Sequence, residues 1–208
     1  MDYQTALALT NEFMEYLRPI CVRIEVVGSV KRVDTKALTE GCHDIEFLLI
    51  LKDGRPVAEF GKPDQIYLTK LDKLLADLKY RGRIGNASDP KDGKKYKKRA
   101  IKGTGELNEF CVEFFIVTAE TWGIQNLIRT GPSLFSHRFV TNRSQHFYSS
   151  DHGRSFAGLL PNDLTYVRGE TCIRRGEERL VLPEESDAIA LIGAGWIAPA
   201  DRAEFALR

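Results

Sequence analysis

Asp44 and Glu46, two residues apart in the run HDIEFLLIL (residues 43 to 51), are the first side chains in this sequence whose types and spacing could do chemistry. On a strand, residues i and i+2 project from the same face, so the two carboxylates stand roughly 6 to 7 Å apart along the backbone and can reach one site. Leu48 and Ile50 follow on that face, so the strand turns apolar directly behind its acids, where unpaired negative charge is costly. A divalent cation relieves that repulsion. Mg²⁺ suits the donor set, because it takes carboxylate oxygen in octahedral geometry and keeps substrate phosphates in its shell. Glu113 interrupts a second apolar run, CVEFFIV, in the same way. If that run pairs beside the strand of Asp44, the three acids could place two metals about 3.5 to 4 Å apart, clamping both oxygens of an in-line phosphoryl displacement. Taken singly, each acid also reads as a solvated or lysine-paired carboxylate at a strand mouth.

Phosphate needs donors and positive charge. Gly28-Ser29 ends an earlier strand pattern, where glycine lets backbone approach a phosphate and the serine hydroxyl can donate to it, with Lys31 and Arg32 adding charge. Net charge is only +1, but between Lys79 and Lys102 ten basic residues face two acids, an excess of eight. Lys94, Lys95, Lys97, Lys98 and Arg99 form its densest part, a footprint for a polyanion that also reads as a solvated charged hairpin. Tyr96 within it can stack on a base. His43, His137, His146 and His152 show no metal-binding spacing.

The elements that must position these residues can be read from periodicity. Ala6, Leu9, Phe13 and Leu17 mark a helix over residues 2 to 17. Val22, Ile24 and Val26 alternate as a half-buried strand, and residues 43 to 51 suit a central strand covered on both sides. Leu68, Leu71, Leu75 and Leu78 line a helix over 64 to 80, followed by a basic strand over 94 to 101 and a third clear strand over 110 to 117. The order predicts an α+β layer with a sheet of mixed direction. After about Glu120 the texture shifts to short pieces, predicting a second lobe. It holds helices over 122 to 129 and 133 to 140, the latter capped by Ser133, a loop over 141 to 158, strands over 164 to 167 and 179 to 182, and a helix over 184 to 192. Trp122 and Trp196 read as core or interface anchors.

Of 208 residues, 43% are apolar and 28% charged, which excludes disordered, collagenous and coiled-coil classes. No apolar run approaches the roughly 20 residues that span a bilayer, and the N-terminus lacks a signal-peptide pattern. Cys21, Cys42, Cys111 and Cys172 are scattered, which predicts reduced thiols in a cytoplasmic or other reducing compartment rather than a secreted disulfide framework.

The ordered series GSVKR, HDIEFLLI, VEFFIV, LIRTGPSLFSHRF and LIGAGWIAPADR resembles the family X DNA polymerases, within the polymerase β-like nucleotidyltransferases, over essentially the whole chain. The resemblance implies a nucleotidyltransferase palm over residues 1 to 119 and a small α+β thumb subdomain over 120 to 208. It implies the minimal palm-plus-thumb form without an amino-terminal lyase module. Asp44, Glu46 and Glu113 match the metal-binding catalytic carboxylates, for two Mg²⁺ ions with Mn²⁺ as a substitute. Gly28, Ser29 and Arg32 match triphosphate contacts; Thr130 and Gly131 match the turn beneath the nucleotide sugar, with Ser136 and Arg138 toward the base and the minor groove. Pro199 and Arg202 match the last turn. The implied activity is addition of deoxynucleotides to a primer 3′-end on gapped DNA, in repair, by a monomer acting on DNA and a dNTP without a membrane. Departures from the pattern are glutamate at two metal positions, Ile128-Arg129 where an aromatic pair discriminates the sugar, and Ser136 and Val140 where asparagine and arginine are usual. They leave open a template-independent nucleotidyltransferase acting on a nucleic-acid end or another acceptor, and a nucleic-acid-binding protein of the same fold without catalysis.

Overall fold

A computed structural model describes residues 1–33, 38–53, 69–103 and 110–208. The chain is α+β, in two compact units: Met1–Val30 with Thr35–Val117, and Lys31–Asp34 with Thr118–Arg208.

The first unit opens with helix α1 (Tyr3–Leu17), started by Asp2, whose carboxylate accepts from the Thr5 amide at 2.9 Å. Its buried stripe is Ala6, Thr10, Phe13 and Leu17. Leu9 packs half-buried against the same cluster, and the neighbouring Thr10 is buried with its hydroxyl donating to the Ala6 carbonyl at 2.7 Å, which removes the cost of burying it. Strand β1 (Cys21–Val27) and the short helix α2 (Gly28–Arg32) follow, then β2 (Asp44–Leu51) and α3 (Lys70–Tyr80). Thr69 and Asp72 form a reciprocal cap at the start of α3. The part of the expected helix from Asp64 to Leu68 lies outside the described residues. Strands β3 (Ile84–Gly85), β4 (Lys91–Asp92), β5 (Tyr96–Ile101) and β6 (Cys111–Ile116) complete the unit.

The sheet runs β1-β2-β6-β5-β3, with β4 pairing on β5. It is mixed: β2 and β6 are parallel, and their other pairings are antiparallel. Because side chains alternate, one face of the sheet is apolar. Ile45, Phe47, Leu49, Val112, Phe114 and Ile116 form one buried cluster with Phe13 and Leu17 of α1 and Leu71, Leu75 and Leu78 of α3. Phe47 and Phe114, side by side on β2 and β6, stack at 6.1 Å, with the Phe13 ring 6.4 and 6.5 Å from them. Each such side chain contributes about 1.5 to 3 kcal/mol by leaving water. The other face is the one that carries the acids.

The second unit contains α4 (Trp122–Thr130), α5 (Ser133–Val140), the hairpin of β7 (His146–Ser149) and β8 (Arg154–Ala157), the sheet of β9 (Leu164–Val167), β10 (Cys172–Arg175) and β11 (Glu178–Arg179), then α6 (Glu185–Ala190) and α7 (Arg202–Leu207). Three expectations need correction here. Residues 141 to 158 are not simply a loop: Phe147 and Phe156 face each other across a hairpin, with ring centroids 6.4 Å apart, inside an otherwise polar segment whose composition hides them. Ser133 is the first helical residue, and Pro132 holds the cap position. The strand expected at 179 to 182 is only the two residues of β11, its main partner being β10, whose CIRR sequence gives little alternation. Trp122 is fully buried, as a core anchor is, whereas Trp196 is 59% exposed. All four cysteines are buried free thiols, and burial pushes the Cys21 thiol up to about 11. Among the described residues no helix is long and apolar enough to cross a membrane.

Candidate functional site

In the first unit the register brings the predicted acids together. Glu46 on β2 pairs directly with Glu113 on the parallel strand β6, and Asp44 lies two residues earlier beside Cys111. Neighbouring strands are about 4.8 Å apart, so the row across the sheet reads Val27, Glu46, Glu113, Lys98, with one residue from each of β1, β2, β6 and β5. Two like charges directly opposite each other repel, and both are half-buried, so the row requires positive charge nearby. Lys98 supplies part of it, its ammonium 3.5 Å from a Glu113 carboxylate oxygen. Burial presses the Lys98 pKa downward, but Cys111, Glu113 and Asp44 outweigh it and the value ends raised. Behind this row Tyr96 stacks on Phe115, centroids 4.9 Å apart at 8°, so its ring already has a protein partner.

Gly28 sits at φ +70°, a conformation natural to glycine, and a Cβ there would collide with the Glu46 carboxylate. The missing side chain is therefore the space into which Glu46 reaches. The Ser29 Oγ is buried with no hydrogen-bond partner, an unsatisfied donor beside that carboxylate's strand.

In the second unit the predicted residues have mainly internal roles. Arg32 donates to the carbonyls of Thr130 at 3.0 Å and Gly131 at 3.4 Å, so these three are brought together. Thr130 is fully buried and donates to Asn126, while Ser136 donates to the Ile128 carbonyl near the end of α4. Arg138 is only 8% exposed; it donates to the carbonyls of Ala157 and Ala206 and lies over the Phe156 ring, which makes it a structural tie rather than a groove contact. The sequence reading missed a buried polar chain. Lys31 donates to Asn126 at 2.7 Å and to Glu185 at 3.1 Å, and the other Glu185 oxygen accepts from fully buried Arg202 at 2.8 Å. No local signal links residues 95 and 154 positions apart; Arg202 was legible only as part of the terminal motif.

The basic stretch also needs correction. Lys97 is 6% exposed and its ammonium is held by Asp72 at 2.7 Å and Asp92 at 3.0 Å, so it is a buried ion-pair member rather than a phosphate ligand. Arg99 is held by Asp92, and Lys98 faces Glu113. Lys94 and Lys95 are exposed. Among the described residues, four acids from outside the stretch, Glu12, Asp72, Asp77 and Glu113, pair with it and halve its excess of eight positive charges.

Among the described residues, no group of three or more His, Cys, Asp or Glu side chains is drawn together closely enough to hold an ion. What fits Mg²⁺ is the donor chemistry and the backbone: three hard carboxylates on one face of adjacent strands, one of them reaching into the space left by a glycine. The chain matches no family model, and no curated protein matches it.

Proposed function

We propose that the protein is a Mg²⁺-dependent nucleotidyltransferase of the family X polymerase kind, adding a deoxynucleotide to a primer 3′-end on gapped DNA. The observation that carries this reading is the parallel pairing of Glu46 with Glu113, with Asp44 on the same face. Asp44, Glu46 and Glu113 would hold the metal, which when bound supplies charge neutralisation and Lewis acidity to the phosphoryl oxygens. The Ser29 hydroxyl would donate to a phosphate oxygen of the nucleotide; its buried, unpaired state supports such a role. Glu113 would accept the proton of the primer hydroxyl as its oxygen attacks the α-phosphorus and the bond to the leaving pyrophosphate breaks. The protein would thus contribute positioning and charge, with no covalent intermediate.

Extension of a one-nucleotide-gapped duplex and of a bare single strand, with each dNTP offered singly, tests the reading. The expected result is metal-dependent addition of the complementary nucleotide alone, reduced on the order of 10³-fold in Glu113→Gln, the several kcal/mol that a metal-held transition state is worth. Addition that ignores the template would favour the second reading, a template-independent nucleotidyltransferase acting on a nucleic-acid end or another acceptor. The ion pairs that offset the basic stretch support that reading, since a single-stranded end without a template strand offers fewer phosphates to contact. Tight DNA binding without turnover would leave a binding protein of this fold.

A further inference from the structure

Lys98 lies outside the carboxylate set yet shares its row on the sheet. It is directly opposite Glu113 in the antiparallel pairing of β5 and β6, with its ammonium 3.5 Å from the carboxylate. The two side chains are 25% and 12% exposed, so water screens the pair only partly. The lysine's position is set by the register and by the Tyr96–Phe115 stack on the same two strands. A lysine ammonium is a compact charge that occupies the carboxylate oxygen it faces, and a metal ion seeks that same oxygen.

We propose that Lys98 is a resident counter-ion of Glu113, and that a divalent cation must displace it from that carboxylate in order to bind there. The proposal rests on the metal-site reading above and adds that one neighbouring residue sets how much cation the protein needs. Without a cation, Lys98 offsets the charge of Glu113. With one, its ammonium moves aside and is available to a phosphate oxygen on the same face.

Mn²⁺ binding to the full chain, counted by the loss of the free-ion electron paramagnetic resonance signal without nucleotide or DNA, provides the test. Wild type, Lys98→Met, Lys98→Arg and Glu113→Gln are compared, with far-ultraviolet circular dichroism as the check on folding. Lys98→Met should bind Mn²⁺ on the order of tenfold more tightly, roughly the worth of a partly screened ion pair. Lys98→Arg, which keeps the charge, should stay within about threefold of wild type, a shift under 1 kcal/mol. Unchanged or weaker binding in folded Lys98→Met, alongside binding that Glu113→Gln abolishes, would overturn the counter-ion role while leaving the metal site standing. Mn²⁺ binding that ignores Glu113, or none in any folded variant, would overturn the metal-site reading and the proposal with it.

Discussion

At the scale of single residues, the charged side chains divide by what holds them. Asp72 does two jobs, capping α3 through Thr69 and pairing with buried Lys97. Burial pushes its carboxyl upward, but Lys97 and Thr69 outweigh that and hold it below its ordinary value of 3.8. A lowered folded-state pKa means stability that is present above the unfolded value and lost as pH falls through the folded one. Asp72→Asn should therefore destabilise at pH 7 by about 2 to 4 kcal/mol, because it weakens the cap and leaves Lys97 with Asp92 alone. The deficit should shrink below about pH 4, as the wild-type carboxylate protonates. Urea unfolding at pH 7 and pH 3 reads the difference; an equal deficit at both would refute the charge argument.

At the scale of elements, what matters is where a strand ends and what the turn leaves room for. Gly28 and Gly82 both sit at φ +70°, yet a Cβ at Gly28 meets the Glu46 carboxylate and one at Gly82 meets nothing within 4 Å. Alanine at either position should cost about 1 to 2 kcal/mol of backbone strain, read as a few degrees in thermal melting. Only Gly28→Ala should also reduce the proposed nucleotide transfer, by about tenfold or more, because it alone displaces Glu46. Equal activity in the two variants would separate the turn from the site. Period-2 alternation made β1 legible, apolar runs bounded by turn residues marked β2 and β6, the basic run between turns marked β5, and leucine spacing did the same for α3. Neither could reveal the β7–β8 hairpin, where only Phe147 and Phe156 carry the apolar signal.

At the scale of the whole molecule, charge is the property that reaches partners. A stretch of Lys and Arg counted along the chain overstates the field it produces, because folding brings Glu12, Asp72, Asp77 and Glu113 to it. If DNA binds through this stretch, the slope of log affinity against log salt should be about −3 to −4, corresponding to roughly four phosphate contacts, rather than the roughly −7 that eight would produce. Fluorescence-anisotropy titrations of a gapped duplex between 50 and 200 mM salt decide between them, and a slope near −7 would mean that the ion pairs open on binding.

Local pattern was readable along the chain: the main strands and helices of the first unit, that Asp44 and Glu46 share a face, and that Glu113 interrupts an otherwise apolar strand. These follow from the two- and 3.6-residue periods of the backbone, which any stretch of chain carries within itself. The folded sheet, not any local signal, places β6 beside β2 in parallel, setting Glu113 against Glu46, and puts Lys98 opposite on β5. Folding alone turned Lys97 and Arg138 inward, and joined Lys31 to Asn126, Glu185 and Arg202. The physical reason is that strand order, register and the burial of a long charged side chain depend on partners far away in sequence. A charge is read along the chain as exposed until the fold brings its counter-charge to it.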